Sequence, residues 1–215
     1  MSAGTPGGSY HHGNLHQALI EAGIAALQDD ADPGKISLRG LAGDVGVSPA
    51  AVYRHFPTKD AMMGAIAQAG HQAMEKLASS AALEELAEPD RRDRRRCLLY
   101  IQFARENPAL FRLMFTGRIG VRMRKSLGDI PSNLNFFGEC DAPGRSGGPS
   151  DAMKTWSIAH GIAHMALDGH LDALGAGVDE LIHRLVQQLV PMNRPREADK
   201  APARPAADSF TPSVD

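Results

Sequence analysis

Two groups of imidazoles in this chain have the residue type and the spacing to do chemistry. Near the start, the run GGSYHHGNLHQAL sets Tyr10, His11, His12 and His16 together, and later TWSIAHGIAHMALDGH places Trp156, His160, His164 and Asp168 on one slowly drifting helical stripe. A histidine pair at i, i+4 with an aspartate one turn on offers ligands suited to a zinc-like cation. Neither group is joined by a cysteine or glutamate cluster, so the expectation is packed or hydrogen-bonded imidazole, with no metal and no cofactor. Metal sensing through His160 and His164 stays as the alternative. Covalent chemistry finds less support still: no Walker A, GxGxxG or HExxH pattern occurs, and no acid and histidine fall at triad spacing, so an enzyme is not expected.

The elements that must position these side chains are helices. Apolar residues recur at the 3.6-residue period and no run alternates with period two, which makes the fold class all-α. With 215 residues, 43% of them hydrophobic, there is material for one larger core or two small ones. Leu19, Ala22, Gly23, Ala26 and Leu27 stripe a first helix behind an Asn14 cap, and Pro33 with Gly34 ends the pattern. SLRGLAGDV resumes it from a Ser37 cap through Leu38, Leu41, Ala42 and Val45. GVS makes a turn, Pro49 opens PAAVYRHF at the first helical position, and Thr58 caps the next helix. Met62, Ile66, Ala69, Ala73 and Leu77 then run along that helix to about residue 80.

Further helices are expected over RRDRRRCLLYIQFARENP, ALFRLMF and residues 119–127. The run from Gly128 to Ser150 is too rich in Gly, Pro and Ser to be helical throughout and reads as a mobile loop. DAMKTWSIAHGIAHMALDGHLDAL and VDELIHRLVQQLV are the last two helices, and the Pro/Ala-rich residues 191–215 read as a disordered tail. Cys97 and Cys140 fit no disulfide framework, which points to a reducing compartment. No apolar run reaches the roughly 18 residues of a membrane span. The start MSAGTPGGS lacks a signal-peptide pattern, so a cytoplasmic protein with no membrane partner is expected. The net charge of -2 hides an asymmetry: residues 91–125 carry +9 and residues 1–60 carry -2 before any histidine is charged.

SLRGLAGDVGVSPAAVYRHF has the proportions of a helix-turn-helix, with Ala42 small where the two helices meet and Val47 and Val52 placed to bury between them. Its second helix begins with small residues, which lets the backbone come close to a DNA groove. Together with FPTKDAMMGAIAQAG, this stretch resembles the DNA-binding domain of the TetR family of transcriptional regulators. Leu38, Arg39, Leu41, Ala42, Val45, Gly46, Val47, Ser48, Tyr53, His55, Phe56 and Lys59 stand at the family's motif positions, within a match over about residues 12–75. The resemblance implies phosphate contacts from Ser37, Ser48, Tyr53, His55 and Lys59. It also implies that Pro49, Ala50, Ala51 and Arg54 face bases. Each has a plainer counterpart, Tyr53 as a half-buried core aromatic, His55 and Lys59 as surface residues; as a set they point to DNA. Gly40 and Gly43 each cost roughly 1 kcal/mol against alanine inside the first motif helix, which predicts a mobile element. The acidic balance predicts weak non-specific binding. In this setting Tyr10, His11 and His12 become phosphate neighbours or packing for the second helix, with His16 one turn further in.

The implied organisation is a helix-turn-helix DNA-binding domain over 10–60, a helical ligand-binding and dimerisation domain over 61–190, and the tail. Trp156, His160 and Gly161 resemble the Trp-His-Gly signature of one C-terminal subgroup. The last two helices are implied to pair with their mates in a four-helix bundle. Val178, Leu181, Leu185 and Leu189 fit its seam, with intrachain core as their other use. Tyr100, Phe103, Phe111, Phe115, Trp156 and His160 could line a ligand pocket, and could equally be plain core. Arg118, Arg122 and Lys125 share one helix face, and RRDRRR starts another; a solvated face is expected, with an anionic effector or auxiliary phosphate contact behind it. The expected function is a homodimeric, ligand-responsive repressor on a palindromic double-stranded operator, its small-molecule effector unspecified. A DNA-binding module working without an effector is the further alternative.

Overall fold

The computed structural model describes residues 15–29, 32–79, 89–115, 137, 149–175 and 177–190. Among them are eight α-helices, one short 3-10 helix and no strand. Tyr10, His11, His12 and the Asn14 cap, the helix expected over 119–127 with Arg118, Arg122 and Lys125, Cys140, most of the 128–150 run and the tail from 191 lie outside the described residues.

Helix α1 (Leu15–Asp29) buries Leu19, Ile20, Gly23 and Leu27, the inward positions of its stripe. It packs on α2 (Leu38–Val45) and on α4 (Lys59–Ala78), while α2 packs on α3 (Pro49–His55). The shared core holds Leu19, Leu41, Val52, Met62 and Ile66, each at most 2% exposed. Burial of each such side chain stabilises the fold by about 1.5–3 kcal/mol. Gly23 is required by the crossing of α1 over α4: a Cβ there would sit 2.4 Å from Ile66 Cδ1 and 3.2 Å from Met62 Cε. Between α2 and α3, Ala42 and Val52 are buried and Val47 is half-buried.

The turn joining α2 to α3 is built from local hydrogen bonds. Gly46 takes the left-handed conformation at φ 74°, its N–H donates to the Gly43 carbonyl at 3.1 Å, and the Val47 N–H reaches the Ala42 carbonyl at 2.8 Å. That pattern ends a helix and satisfies its last carbonyls, and it needs a residue without a Cβ at the left-handed position. Gly43 is different: its backbone is helical, and an added Cβ would meet nothing within 4 Å. Gly43→Ala is therefore expected to raise stability by about 1 kcal/mol, read as a higher urea midpoint with unchanged slope. A lower midpoint would show that the glycine is needed there. Gly40 is not an equivalent site, since its Cβ would lie 3.1 Å from Ser37 Oγ, the oxygen that caps the helix.

The second half of the chain comprises α5 (Pro89–Glu106), α6 (Pro108–Phe115), α7 (Pro149–Leu167), a 3-10 turn (Asp172–Leu174) and α8 (Val178–Leu189). Helix α7 lies along α5 and α8 packs on both; α6 touches α1 and α4 on one side and α5 on the other. Arginines tie these helices at their ends. Arg94 donates to the Gln187 carbonyl at 3.1 Å, in the last turn of α8, and Arg105 pairs with Asp179 in its first turn. Arg112 pairs with Asp168 at 2.8 Å and donates to the Leu167 carbonyl at 3.3 Å, where α7 ends. Cations suit helix C-termini because the last carbonyls lack intrahelical partners. Part of the arginine excess is thus used inside the fold rather than on a solvated face.

Two readings of the last helices change in detail. Helical periodicity alone carries the penultimate helix through Leu174, but α7 stops at Leu167, because Gly169 turns left-handed at φ 75° and His170 N–H bonds back to the Met165 carbonyl at 2.9 Å. In α8, only Ile182 and Val186 are buried within the chain. Val178, Leu181 and Leu185 are half-buried, and Leu189 is 48% exposed.

Candidate functional site

The helix-turn-helix leaves α3 with one buried residue, Val52. Pro49, Ala50, Arg54 and His55 are exposed, Ala51 is half-buried, and Tyr53 is 46% exposed although it is a large aromatic ring. Ala50, Tyr53 and Arg54 stand at i, i+3 and i+4, hence on one outward face. The serines expected near phosphate have a structural duty as well. Ser37 Oγ accepts from the Gly40 N–H at 3.0 Å and Ser48 Oγ from the Ala51 N–H at 3.3 Å, capping α2 and α3. Capping uses an oxygen lone pair and leaves the hydroxyl proton available to an outside acceptor. Thr58 does the same for α4, accepting from the Ala61 N–H at 3.1 Å.

Lys59 is half-buried and donates to the Gly34 carbonyl at 2.6 Å, tying the loop after α1 to the start of α4. His16 is exposed and packs its ring 4.7 Å from that of Phe56 and 6.1 Å from that of His55. Imidazoles from α1 and α3 are therefore neighbours on the surface of this head.

The second assembly is a cluster of aromatic and imidazole rings where α5, α6 and α7 meet. Tyr100 and Phe111 are fully buried at its centre, with ring centroids 5.4 Å apart. Phe115 lies 4.9 Å from Phe111 and 4.7 Å from His160. Trp156 stacks on His160 at 5.1 Å, and His164 follows at 4.6 Å from His160. Trp156, His160, His164 and Phe115 are half-buried. Two hydrogen bonds run through the group: Trp156 Nε1 donates to Tyr100 Oη at 3.2 Å, and Tyr100 Oη lies 2.9 Å from His160 Nδ1. Five of the six side chains expected to line a pocket, Tyr100, Phe111, Phe115, Trp156 and His160, are thus brought together. Phe103 is buried on α5 but shares no ring contact with them among the described residues. Two members were not expected. Phe137 is buried 5.4 Å from the Tyr100 ring, and His71 of α4 lies edge-on to Phe115 at 5.6 Å. No local sequence signal marks either one.

Burial sets the electrostatics of this cluster. It raises the Tyr100 phenol well above its ordinary value, although the Trp156 hydrogen bond opposes the shift. His160 is lowered to about 4, chiefly by burial and then by neighbouring His164. His71 is lowered by burial too, against a hydrogen bond to the Met114 backbone. Burial, with Asp93 nearby, pushes the Cys97 thiol up to about 12, leaving an inert side chain. At the rim, the hydrogen bond from Arg112 holds the Asp168 carboxyl below its usual range. Among the described residues, no group of three His, Cys, Asp or Glu is placed to hold a metal ion.

The His160 shift has a pH consequence. A folded-state value depressed below the ordinary 6.5 means that the unfolded chain binds the proton more readily. The contribution is whole above about pH 6.5 and is lost as pH falls toward 4. The urea midpoint is expected to drop over this window, by the equivalent of about 1 kcal/mol once the ring's partial exposure is discounted. His160→Gln, which keeps an acceptor for Tyr100, should flatten the curve; an unchanged slope in that variant would assign the effect elsewhere.

Comparison with known proteins agrees with this geometry. Residues 19–66 match the model of bacterial regulatory proteins of the tetR family, and residues 94–189 match that of the tetracyclin repressor-like C-terminal domain. Nucleoid occlusion factor SlmA from Pectobacterium carotovorum and from Yersinia enterocolitica is 32% identical over 101 residues, which are 47% of this chain and 50% of each relative. The chain therefore spans about half the length of the curated relatives it matches. A solved structure of a protein of unknown function from Rhodococcus sp. RHA1 superposes with a TM-score of 0.63 at 28% identity, covering 86% of this chain and all of that one. A tetR-family regulator from Streptomyces coelicolor shares the fold at a TM-score of 0.61 and 19% identity, over 84% of this chain and 80% of its own. So does a TetR variant from Acinetobacter baumannii AYE in complex with minocycline, with a TM-score of 0.56, 17% identity, and coverage of 81% and 93%. With its helix-turn-helix and its C-terminal helices both matched, the chain belongs to the tetR family of bacterial regulatory proteins, DNA-binding transcription regulators rather than enzymes.

Proposed function

We propose that this regulator is a homodimeric repressor that binds a palindromic operator through paired α3 helices and releases it when a small molecule occupies the aromatic cluster. The observation that carries the reading is the position of α6. Phe111 and Phe115 of that helix enter the ring cluster, while Leu110 and Met114 lie against Gly70 of α4, where a Cβ would sit 3.2 Å from Leu110 Cδ1 and 2.6 Å from Met114 Sδ. Asn107, just before α6, also accepts a hydrogen bond from Gln28 at the end of α1 at 3.4 Å. A ligand that moves α6 thus pushes on the two helices that carry the DNA-binding head. It shifts the equilibrium only as far as its affinity differs between the two head spacings. The minocycline complex of the Acinetobacter TetR supports a small molecule as the kind of effector.

The proposed DNA contacts are exposed except for half-buried Ala51 and Lys59: Ser37, Ser48, Tyr53, His55 and Lys59 toward phosphate, and Pro49, Ala50, Ala51 and Arg54 toward bases. Dimerisation is supported by apolar surface left on the last two helices. On α7, Met153, Ser157, Gly161 and Met165 are exposed at i, i+4 spacing, and on α8 Leu189 is exposed while Leu181 and Leu185 are only partly covered by the chain's own core. On this reading 10–60 is the DNA-binding domain and 61–190 the ligand-binding and dimerisation domain.

Selection from a random duplex library, followed by sedimentation, tests the proposal. A palindromic consensus bound by a dimer is expected. Leu189→Arg should shift the chain toward monomer and weaken operator binding by at least about 100-fold, because each half-site alone lacks the second head's contacts. Recovery of no preferred sequence, or a Leu189→Arg chain that binds as a dimer at full affinity, would refute it.

A further inference from the structure

Two hydrogen bonds in the ring cluster meet at one phenol oxygen. An indole N–H can only donate, so Tyr100 Oη accepts from Trp156 at 3.2 Å. His160 Nδ1 lies 2.9 Å from the same oxygen, and a ring nitrogen that accepts the phenolic proton there carries none of its own. With the phenol as donor, neutral His160 is held as the Nε2–H tautomer. His160 Nε2 has no hydrogen-bond partner among the described residues, and neither ring nitrogen of His164 has one there. Around them stand Trp156, Phe111 and Phe115.

We propose that this relay is a recognition device for an uncharged, largely apolar molecule bearing a carbonyl oxygen, which accepts from His160 Nε2–H while its body lies against Trp156 and Phe115. The inference rests on the reading of the C-terminal helices as a ligand-binding body, and it names the chemistry of that site. A carboxylate is disfavoured because, among the described residues, Arg96 pairs with Asp93 at 3.4 Å and Arg112 with Asp168 at 2.8 Å. An anion taken out of water without a paired cation is costly. Burial keeps His160 neutral, so the ring does not supply that cation. A metal ion on Nε2 would have to displace its proton, and no third His, Cys, Asp or Glu stands ready among the described residues.

The test uses the full chain and three probes of one shape: 2-acetylnaphthalene, with a ketone; 2-isopropylnaphthalene, with no acceptor; and 2-naphthoate, with a charge. Binding is followed by calorimetry and by the emission of Trp156, the single tryptophan of the sequence. The ketone is expected to bind about tenfold more tightly than either of the others, the ratio for one partly exposed hydrogen bond. His160→Phe should erase the margin between ketone and hydrocarbon. Nitrogen NMR of the imidazoles should show the Nε2–H tautomer at His160 in the wild type and its loss in Tyr100→Phe. Equal binding of ketone and hydrocarbon, tightest binding of naphthoate, no binding of any probe, or tighter binding of Zn2+ would each overturn the inference. Operator affinity measured in parallel separates the two ideas. A ketone that binds with the expected preference but leaves operator affinity unchanged sinks effector-driven release alone, whereas probes that release DNA without any preference sink only the carbonyl assignment.

Discussion

Phe111→Ala is expected to lower folding stability by about 3–5 kcal/mol, the range for removing a buried aromatic ring and leaving a cavity. The residue has no exposed surface, and its ring meets Tyr100 at 5.4 Å, Phe115 at 4.9 Å, His160 at 5.6 Å and His164 at 5.7 Å. The surroundings are unable to collapse into the gap easily, because α6 is pinned on its other side by Leu110 and Met114 against α4. A domain is stable by only about 5–15 kcal/mol, so such a loss brings much of the chain near its unfolding midpoint at physiological temperature. Phe111→Leu, which retains most of the volume, should cost less than about half as much. Urea denaturation of the three proteins is the measurement, and a loss under about 1 kcal/mol for the alanine variant would mean that the cluster is not part of the folding core.

Ala50→Glu is expected to do the opposite: leave stability intact and remove DNA binding. Ala50 is exposed at the second position of α3, where a carboxylate suits the positive end of the helix and displaces no packing. With α3 docked as proposed, it would set an unpaired anion against the phosphate field and a bulkier side chain into the groove. Operator affinity should fall by at least about 100-fold, near 2.7 kcal/mol. Gln72→Glu, exposed on α4 away from both α3 and the proposed dimer surface, adds the same charge and serves as the control. Equal losses in the two variants would reduce the effect to net charge; no loss at Ala50 would remove α3 as the reading helix.

Features that depend on close neighbours in the chain were readable before any coordinates. Ser37, Ser48 and Thr58 cap helices by bonding to an N–H three residues on. Pro49 opens α3, and the apolar periods of α1 and α2 became the buried faces expected of them; on α4 Met62 and Ile66 are buried as expected, but Gly70 and Met74 take the inward places expected of Ala69, Ala73 and Leu77. The family motif is visible for the same reason, since its spacings all lie within one local supersecondary unit. The end of α7 was in principle as legible, because the Asp168-Gly169 break is local, but the apolar period continuing through Leu171 and Leu174 outweighed it.

The sequence by itself determined that the chain is helical, where most of its helices start and stop, and that α3 is a short helix with little to bury. Those outcomes follow from hydrogen bonds and apolar periods that close within a few residues. Only the tertiary structure decided which partner each long polar side chain takes. Lys59 meets a carbonyl 25 residues away, Arg94 one 93 away, and Tyr100 an imidazole 60 away. It also decided which half of the α8 stripe is covered by the chain itself, that Phe137 and His71 join the cluster, and that burial lowers the His160 imidazole below its ordinary value. Such pairings depend on helix crossings and on burial, which a list of residues in order does not contain.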